Sequence, residues 1–178
     1  IGLAGLGRLG KEYAENIQYK SPNAELIAVC SIVKDELAYA KNKLGIEMCF
    51  SSFEEMIEKS NLDAAVILTP TKYHAKQIIF SLKKGLHVFS EKPLAISIED
   101  CLKAETEAKK NPDLISCVGF VRRYDDSYMD AKRAVENNKI GDTFFVRSQT
   151  VDKDTWAPFQ VNFIKSGGGI FHDFNVHD

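Results

Sequence analysis

The sequence predicts an α/β protein: a doubly wound parallel sheet followed by the start of a second α/β domain built on a more open sheet. Three observations predict it. Short apolar runs alternate with helical patterns as far as residue 118. The runs are continuously apolar instead of alternating, as strands covered on both faces are. A glycine-rich turn joins the first run to the first helical pattern.

Taken in order, residues 1–5, 25–30, 64–68, 87–89 and 115–118 read as strands, rich in Val, Ile, Leu and Phe between polar or turn residues. Helical patterns lie at 8–20, 35–44, 52–59, 72–84 and 98–110. Ser97 followed by Glu99 and Asp100 marks a helix start, and Gly85 after Lys83 and Lys84 marks a stop. Beyond Val118 the texture changes. A helix over 127–138 ends at Asn137 and Asn138, and the run TFFVRSQTV at 143–151 reads as a strand that admits polar residues on one side. A boundary at 118 gives a first domain of 1–118 and a second of 119–178. The second is too short for an ordinary α+β domain and reads as truncated.

Composition narrows the partners. Of 178 residues, 44% are hydrophobic and 27% charged, enough to bury a core without disulfide or metal. With 23 Lys and Arg against 25 Asp and Glu, interspersed along the chain, no single-sign patch is built for nucleic acid. No apolar run approaches the roughly 18 residues of a membrane span. No signal peptide pattern is visible, although Ile1 is not a natural start and a removed leader stays compatible. The cysteines at 30, 49, 101 and 117 form no CxxC pair and have no histidine at ligand spacing. A reduced, cytoplasmic protein without a structural metal is expected.

The glycine turn is the first chemical signal. Gly5-Leu6-Gly7-Arg8-Leu9-Gly10 lies between a strand and a helix. In that context the first glycine permits the tight turn and the second lets the backbone approach a pyrophosphate. The third packs helix on strand, and the helix N-terminus faces the anion. Residues 1–118 therefore read as a dinucleotide-binding Rossmann domain. An acidic residue that grips the ribose of NAD is expected about 20 positions on, after the second strand. Ser31 stands there, with Lys34 close behind and Asp35 placed to open the next helix. Serine tolerates a 2′-phosphate that a carboxylate would repel, and Lys34 or Arg8 would neutralise it. Of NAD and NADP, this position favours NADP.

Two further segments carry candidate chemistry. Glu91-Lys92-Pro93 follows a buried strand at the carboxyl edge, where open α/β sheets bind ligands, and the proline stiffens the corner. A Lys-Pro turn alone is more often a surface loop. Downstream, the glycines at 167–169 precede His172, Asp173, His177 and Asp178. On a helix the i, i+4 spacing of Asp173 and His177 puts a carboxylate and an imidazole on one face, a natural proton-accepting pair. A metal site and a purely structural helix start are the competing readings. His172 and Asp178 do not share that face.

Together these segments resemble the Gfo/Idh/MocA family of NAD(P)-dependent sugar and polyol oxidoreductases. The resemblance covers GLGRLG, ILTPTKYH at 67–74, EKP at 91–93, GFVRRYDDSY at 119–128 and SGGGIFHDFNVHD at 166–178. The last two segments are most similar to the inositol 2-dehydrogenases. The resemblance implies a Rossmann domain followed by an α/β domain with a large open sheet, in a chain of about twice this length. It also implies a homo-oligomer, a dimer or tetramer. Lys92, Asp173 and His177 fall on catalytic positions, and Thr69, Pro70 and His74 on the segment lining the coenzyme cleft. Glu91, Lys92 and Pro93 shape the nicotinamide pocket, with a commonly cis Lys92–Pro93 bond. A small polyol or sugar is the implied substrate, with Lys92, Arg123, Asp173 and His177 as its contacts and Asp125 and Asp126 as further candidates. The proton acceptor is either His177 or Lys92. Another sugar dehydrogenase, a coenzyme-binding sensor without catalysis and a metal-dependent hydrolase are the rival functions.

Overall fold

The computed structural model describes residues 1–149, with Gly169 and Val176 beyond them. The chain divides after Val118: Ile1–Val118 is one compact unit and Gly119–Asp178 belongs to a second.

The first unit alternates strand and helix. In chain order its elements are β1 (Gly2–Ala4), α1 (Arg8–Lys20), β2 (Ala28–Cys30), α2 (Lys34–Leu44), β3 (Met48–Phe50), α3 (Phe53–Lys59) and β4 (Ala64–Ile67). Then follow α4 (His74–Lys83), β5 (His87–Glu91), α5 (Ile98–Lys110) and β6 (Ser116–Gly119). They form one six-stranded sheet in the order β3-β2-β1-β4-β5-β6. The pairings of β1 with β2 and β4, of β2 with β3 and of β4 with β5 are parallel. β3 is an edge strand absent from the sequence reading. It is three half-buried residues long, and its ladder to β2 defines it more than any pattern of its own.

Successive side chains on a strand point to opposite faces, and two cores result. Leu3, Val29 and Val66 pack with Ala14 and Ile17 of α1 and Ala40 and Leu44 of α2. Ala4, Cys30 and Ile67 pack with Phe53 and Met56 of α3, Ile78 and Leu82 of α4 and Ala104 of α5. Cys30 lies deep in this second core, and its burial pushes the thiol up to about 11.

Helix ends follow local chemistry. Ser97 caps α5 by accepting from the Asp100 N–H at 3.1 Å, as predicted. Gly85 turns the chain after α4 with a positive φ of 80°. The helix predicted from residue 72 begins instead with a 3-10 turn over Thr71–Tyr73, entered from Pro70, and becomes α-helical at His74.

In the second unit, α6 (Asp126–Glu136) starts at Asp125, whose Oδ1 accepts from the N–H groups of Ser127 and Tyr128. The strand predicted at 143–151 is not formed over 143–149. Phe144, Phe145 and Val146 are 98%, 73% and 79% exposed, and a strand needs a hydrogen-bonded neighbour to persist. Positions 150 and 151 lie outside the described residues.

Candidate functional site

Register places the candidate residues on one line. Ala4 is level with Cys30 and Ile67, and Ile67 with Ser90. The next residues, Gly5, Ser31, Leu68 and Glu91, therefore emerge at the same carboxyl edge. After β1 the sheet grows one way through β2 and β3, and after β4 the other way through β5 and β6. Such a reversal opens a crevice between the strands that flank it.

The glycine turn lies in this crevice. Gly5 has a φ of +94°, and a Cβ there would sit 2.5 Å from the Leu68 carbonyl oxygen. A Cβ on Gly10 would sit 1.9 Å from the Gly5 carbonyl oxygen, so α1 touches the turn backbone directly. Gly7 differs, because nothing lies within 4 Å of its would-be Cβ. It begins α1 without a side-chain cap, and the first turn holds no acidic residue. Helices α2, α3 and α5 all carry acids there. The first amides of α1 thus face open space beside a positive helix end, which fits a pyrophosphate. Arg8 and Leu9 are exposed on this first turn.

Ser31 follows β2 and is buried. Its hydroxyl donates to Glu36 Oε2 at 2.5 Å and accepts from the Val33 N–H at 3.1 Å. Lys34, the first residue of α2, is exposed.

Across the crevice, His74 ties two loops together. It is 2% exposed, with Nδ1 2.8 Å from the Pro93 carbonyl oxygen and Nε2 2.5 Å from that of Thr69. Each ring nitrogen faces one of the two carbonyl oxygens, and a nitrogen that carries a proton donates to the carbonyl it faces. His74 thus acts on the cleft through the backbone it holds. The Thr69 hydroxyl donates to Gln77 Oε1 at 2.5 Å, and Pro70 is exposed. The Lys92–Pro93 bond is cis, as the resemblance implies.

Glu91 has a role that the sequence did not reveal. Its carboxylate accepts from the Tyr13 hydroxyl at 2.6 Å and from the Lys92 N–H at 3.0 Å. The Tyr13 ring packs on Phe89, with centroids 5.7 Å apart. Burial, and then the bond to Glu91, push the Tyr13 phenol well above its ordinary range. A tyrosine shifted upward stabilises the fold fully below its unfolded pKa, near 10, and loses that contribution as pH rises further. Tyr13→Phe keeps the ring and removes the donor from a half-buried carboxylate. It is expected to cost about 1.5 kcal/mol in urea unfolding at neutral pH, a difference that shrinks in strong alkali.

Arg123 belongs to the second unit, exposed, with its guanidinium 5.7 Å from the Phe120 ring centroid. Asp125, a sequence candidate for substrate contact, is the cap of α6. Asp173 and His177, and with them His172 and Asp178, lie outside the described residues. Among the described residues no group of three or more His, Cys, Asp or Glu is placed to hold a metal ion. No helix among them is long and apolar enough to cross a membrane.

A parallel sheet with this strand order, a glycine turn that opens on an uncapped helix and a lysine corner on the facing strand together define a dinucleotide-binding Rossmann protein. A family model described as "Oxidoreductase family, NAD-binding Rossmann fold" matches residues 1–120. The chain belongs to this family, Gfo/Idh/MocA. It is 39% identical over 176 residues to a scyllo-inositol 2-dehydrogenase (NAD(+)) of Bacillus subtilis, covering 99% of this chain and 50% of the relative. It is 38% identical over 178 residues to a myo-inositol 2-dehydrogenase of Thermotoga maritima, covering 100% and 52%. The crystal structure of scyllo-inositol dehydrogenase from Lactobacillus casei with bound NAD(H) and scyllo-inositol superposes with a TM-score of 0.94 at 41% identity. That match covers 99% of this chain and 53% of the other. The chain spans about half the length of the relatives it matches.

Proposed function

We propose that the full-length protein oxidises a secondary hydroxyl of a cyclic polyol, myo- or scyllo-inositol, to the ketone with a nicotinamide coenzyme. The observation that carries this reading is the Glu91-Lys92-Pro93 corner, held at the same sheet edge as the glycine turn by His74 and Tyr13. Relatives of 38–39% identity bear inositol dehydrogenase names, which supports the choice of alcohol.

Gly5, Gly7 and Gly10, with the first turn of α1, would hold the pyrophosphate, and the Thr69–Pro70 loop and the lysine corner would flank the nicotinamide. When bound, the coenzyme supplies the two-electron hydride acceptor. The chain's part is charge and position. As the C–H bond breaks, the hydroxyl oxygen gains negative charge, which the Lys92 ammonium stabilises. The hydroxyl proton passes to His177, oriented by Asp173; in the alternative, Lys92 starts as the neutral amine, takes that proton and becomes the ammonium beside the oxygen. Arg123 is a contact for the remaining hydroxyls. Subunit association through the second domain and a reducing, cytoplasmic setting belong to the same reading, and the four free cysteines support the latter.

The test incubates the full-length protein with myo-inositol, scyllo-inositol and glucose, each with NAD and with NADP, and follows the absorbance of reduced nicotinamide. Reduction with an inositol is expected. Reduction with glucose alone would replace the substrate class. Silence with all three, in protein that still binds coenzyme, would remove catalysis on these polyols.

A further inference from the structure

We infer that Glu36 sets the coenzyme choice, its carboxylate held by the buried hydroxyl of Ser31, and that the protein therefore takes NAD over NADP. The inference rests on the dinucleotide-binding reading of the crevice and reverses the expectation drawn from Ser31 alone.

Hydrogen-bond capacity at Ser31 decides between the two coenzymes. A serine hydroxyl has one proton to donate and two lone pairs to accept with. The Ser31 proton goes to Glu36 Oε2 at 2.5 Å, and one lone pair takes the Val33 N–H at 3.1 Å. Phosphate oxygens that carry no proton only accept, so a 2′-phosphate at this point would need the donor that Ser31 has already committed. A ribose hydroxyl can donate. The Glu36 carboxylate, half-buried and with acceptor sites left over, suits it.

Position agrees with capacity. Ser31 stands where the strand after the glycine turn's own ends, level with Gly5 across the β1–β2 register. In NAD-binding folds of this kind an acidic group at that end grips the ribose. The usual carboxylate at the strand end is missing, and one from the first turn of α2 is drawn back to the same place by the hydroxyl.

Charge agrees as well. Around this point Lys34 opposes both Asp35 and Glu36, and Lys34 is solvent-exposed at the helix start. An exposed lysine is screened by water and salt, whereas Glu36 is fixed against a buried partner. A 2′-phosphate would meet the fixed Glu36 carboxylate, with only screened attraction from Lys34 and Arg8, both exposed. Ile32 and Val33, 88% and 46% exposed, add no further cation.

The experiment measures dissociation constants of NADH and NADPH by titration calorimetry on the full-length protein, on Glu36→Gln and on Ser31→Ala. Denaturant unfolding checks each fold. The unaltered protein is expected to bind NADH more tightly. Glu36→Gln keeps size and helix position and should shift the NADH-to-NADPH affinity ratio towards NADPH by roughly tenfold, the low end for a hydrogen bond to a charged group. Ser31→Ala frees the carboxylate and should shift the ratio the same way by less. An unchanged ratio in Glu36→Gln, or tighter NADPH binding by the unaltered protein, would overturn the inference and leave the dinucleotide site standing. Binding of neither coenzyme by the unaltered protein would remove that site and the inference with it.

Discussion

Lys92→Ala is expected to lower kcat by roughly 10²–10³-fold while leaving coenzyme affinity nearly intact, the loss typical of removing one group that stabilises a developing oxyanion. The corner should survive the change. Its backbone is fixed by the bond from the Lys92 N–H to Glu91, by Tyr13 on the same carboxylate and by His74 against the Pro93 carbonyl. None of these three contacts uses the lysine side chain, so the backbone of the corner should persist when the ammonium is removed. Steady-state kinetics with an inositol, beside calorimetric titration of coenzyme, separates the outcomes. A parallel loss of coenzyme affinity would move Lys92 from the chemistry to the coenzyme site. Unchanged turnover would remove it from both.

The glycine turn should fail in two distinct ways. Gly10→Ala places a methyl carbon 1.9 Å from the Gly5 carbonyl oxygen, and the obstacle is backbone on both sides. Helix α1 must lift from β1, at an expected cost of about 3 kcal/mol or more, and coenzyme binding falls with it. Gly5→Ala should behave alike, through its positive φ and the Leu68 carbonyl oxygen at 2.5 Å. Gly7→Ala meets nothing within 4 Å and should cost at most about 1 kcal/mol as a poorer helix cap. It is nevertheless expected to weaken coenzyme binding severely, because the methyl would occupy the space left for the pyrophosphate. Denaturant unfolding and coenzyme titration on all three variants check the contrast. Normal coenzyme binding by Gly7→Ala would mean that no phosphate approaches there.

What the sequence shows of this molecule is what short stretches of chain decide for themselves. Helix α5 runs over 98–110 as predicted because its cap, Ser97, and its first-turn acids are local signals. The glycine turn is legible for the same reason. Strand β3 is not, because three residues at an edge become a strand only through their partner. The run at 143–149 shows the converse, an apolar pattern without a ladder. At the site, Tyr13 is missed, and the task of His74 is not foreseen, because both act through contacts between separated positions. Tyr13 meets Glu91 and His74 meets Pro93, 78 and 19 positions apart. Glu36 lay within reach, five residues after Ser31, but only the folded geometry turns its side chain back onto the hydroxyl.

The reversal of strand order at β1 and β4 divides the inheritance of the site. Residues that would grip the coenzyme's adenosine side, Ser31 and Glu36, descend from β2 and α2. The lysine corner descends from β5, and between the two regions stand β1 and β4, where Gly5 closely approaches Leu68. Substitutions on one side can therefore accumulate without rewriting the other. If the proposed assignments hold, a lineage built on this sheet would be able to exchange one coenzyme for another at positions 31 and 36 and keep its substrate, or to change its substrate and keep its coenzyme.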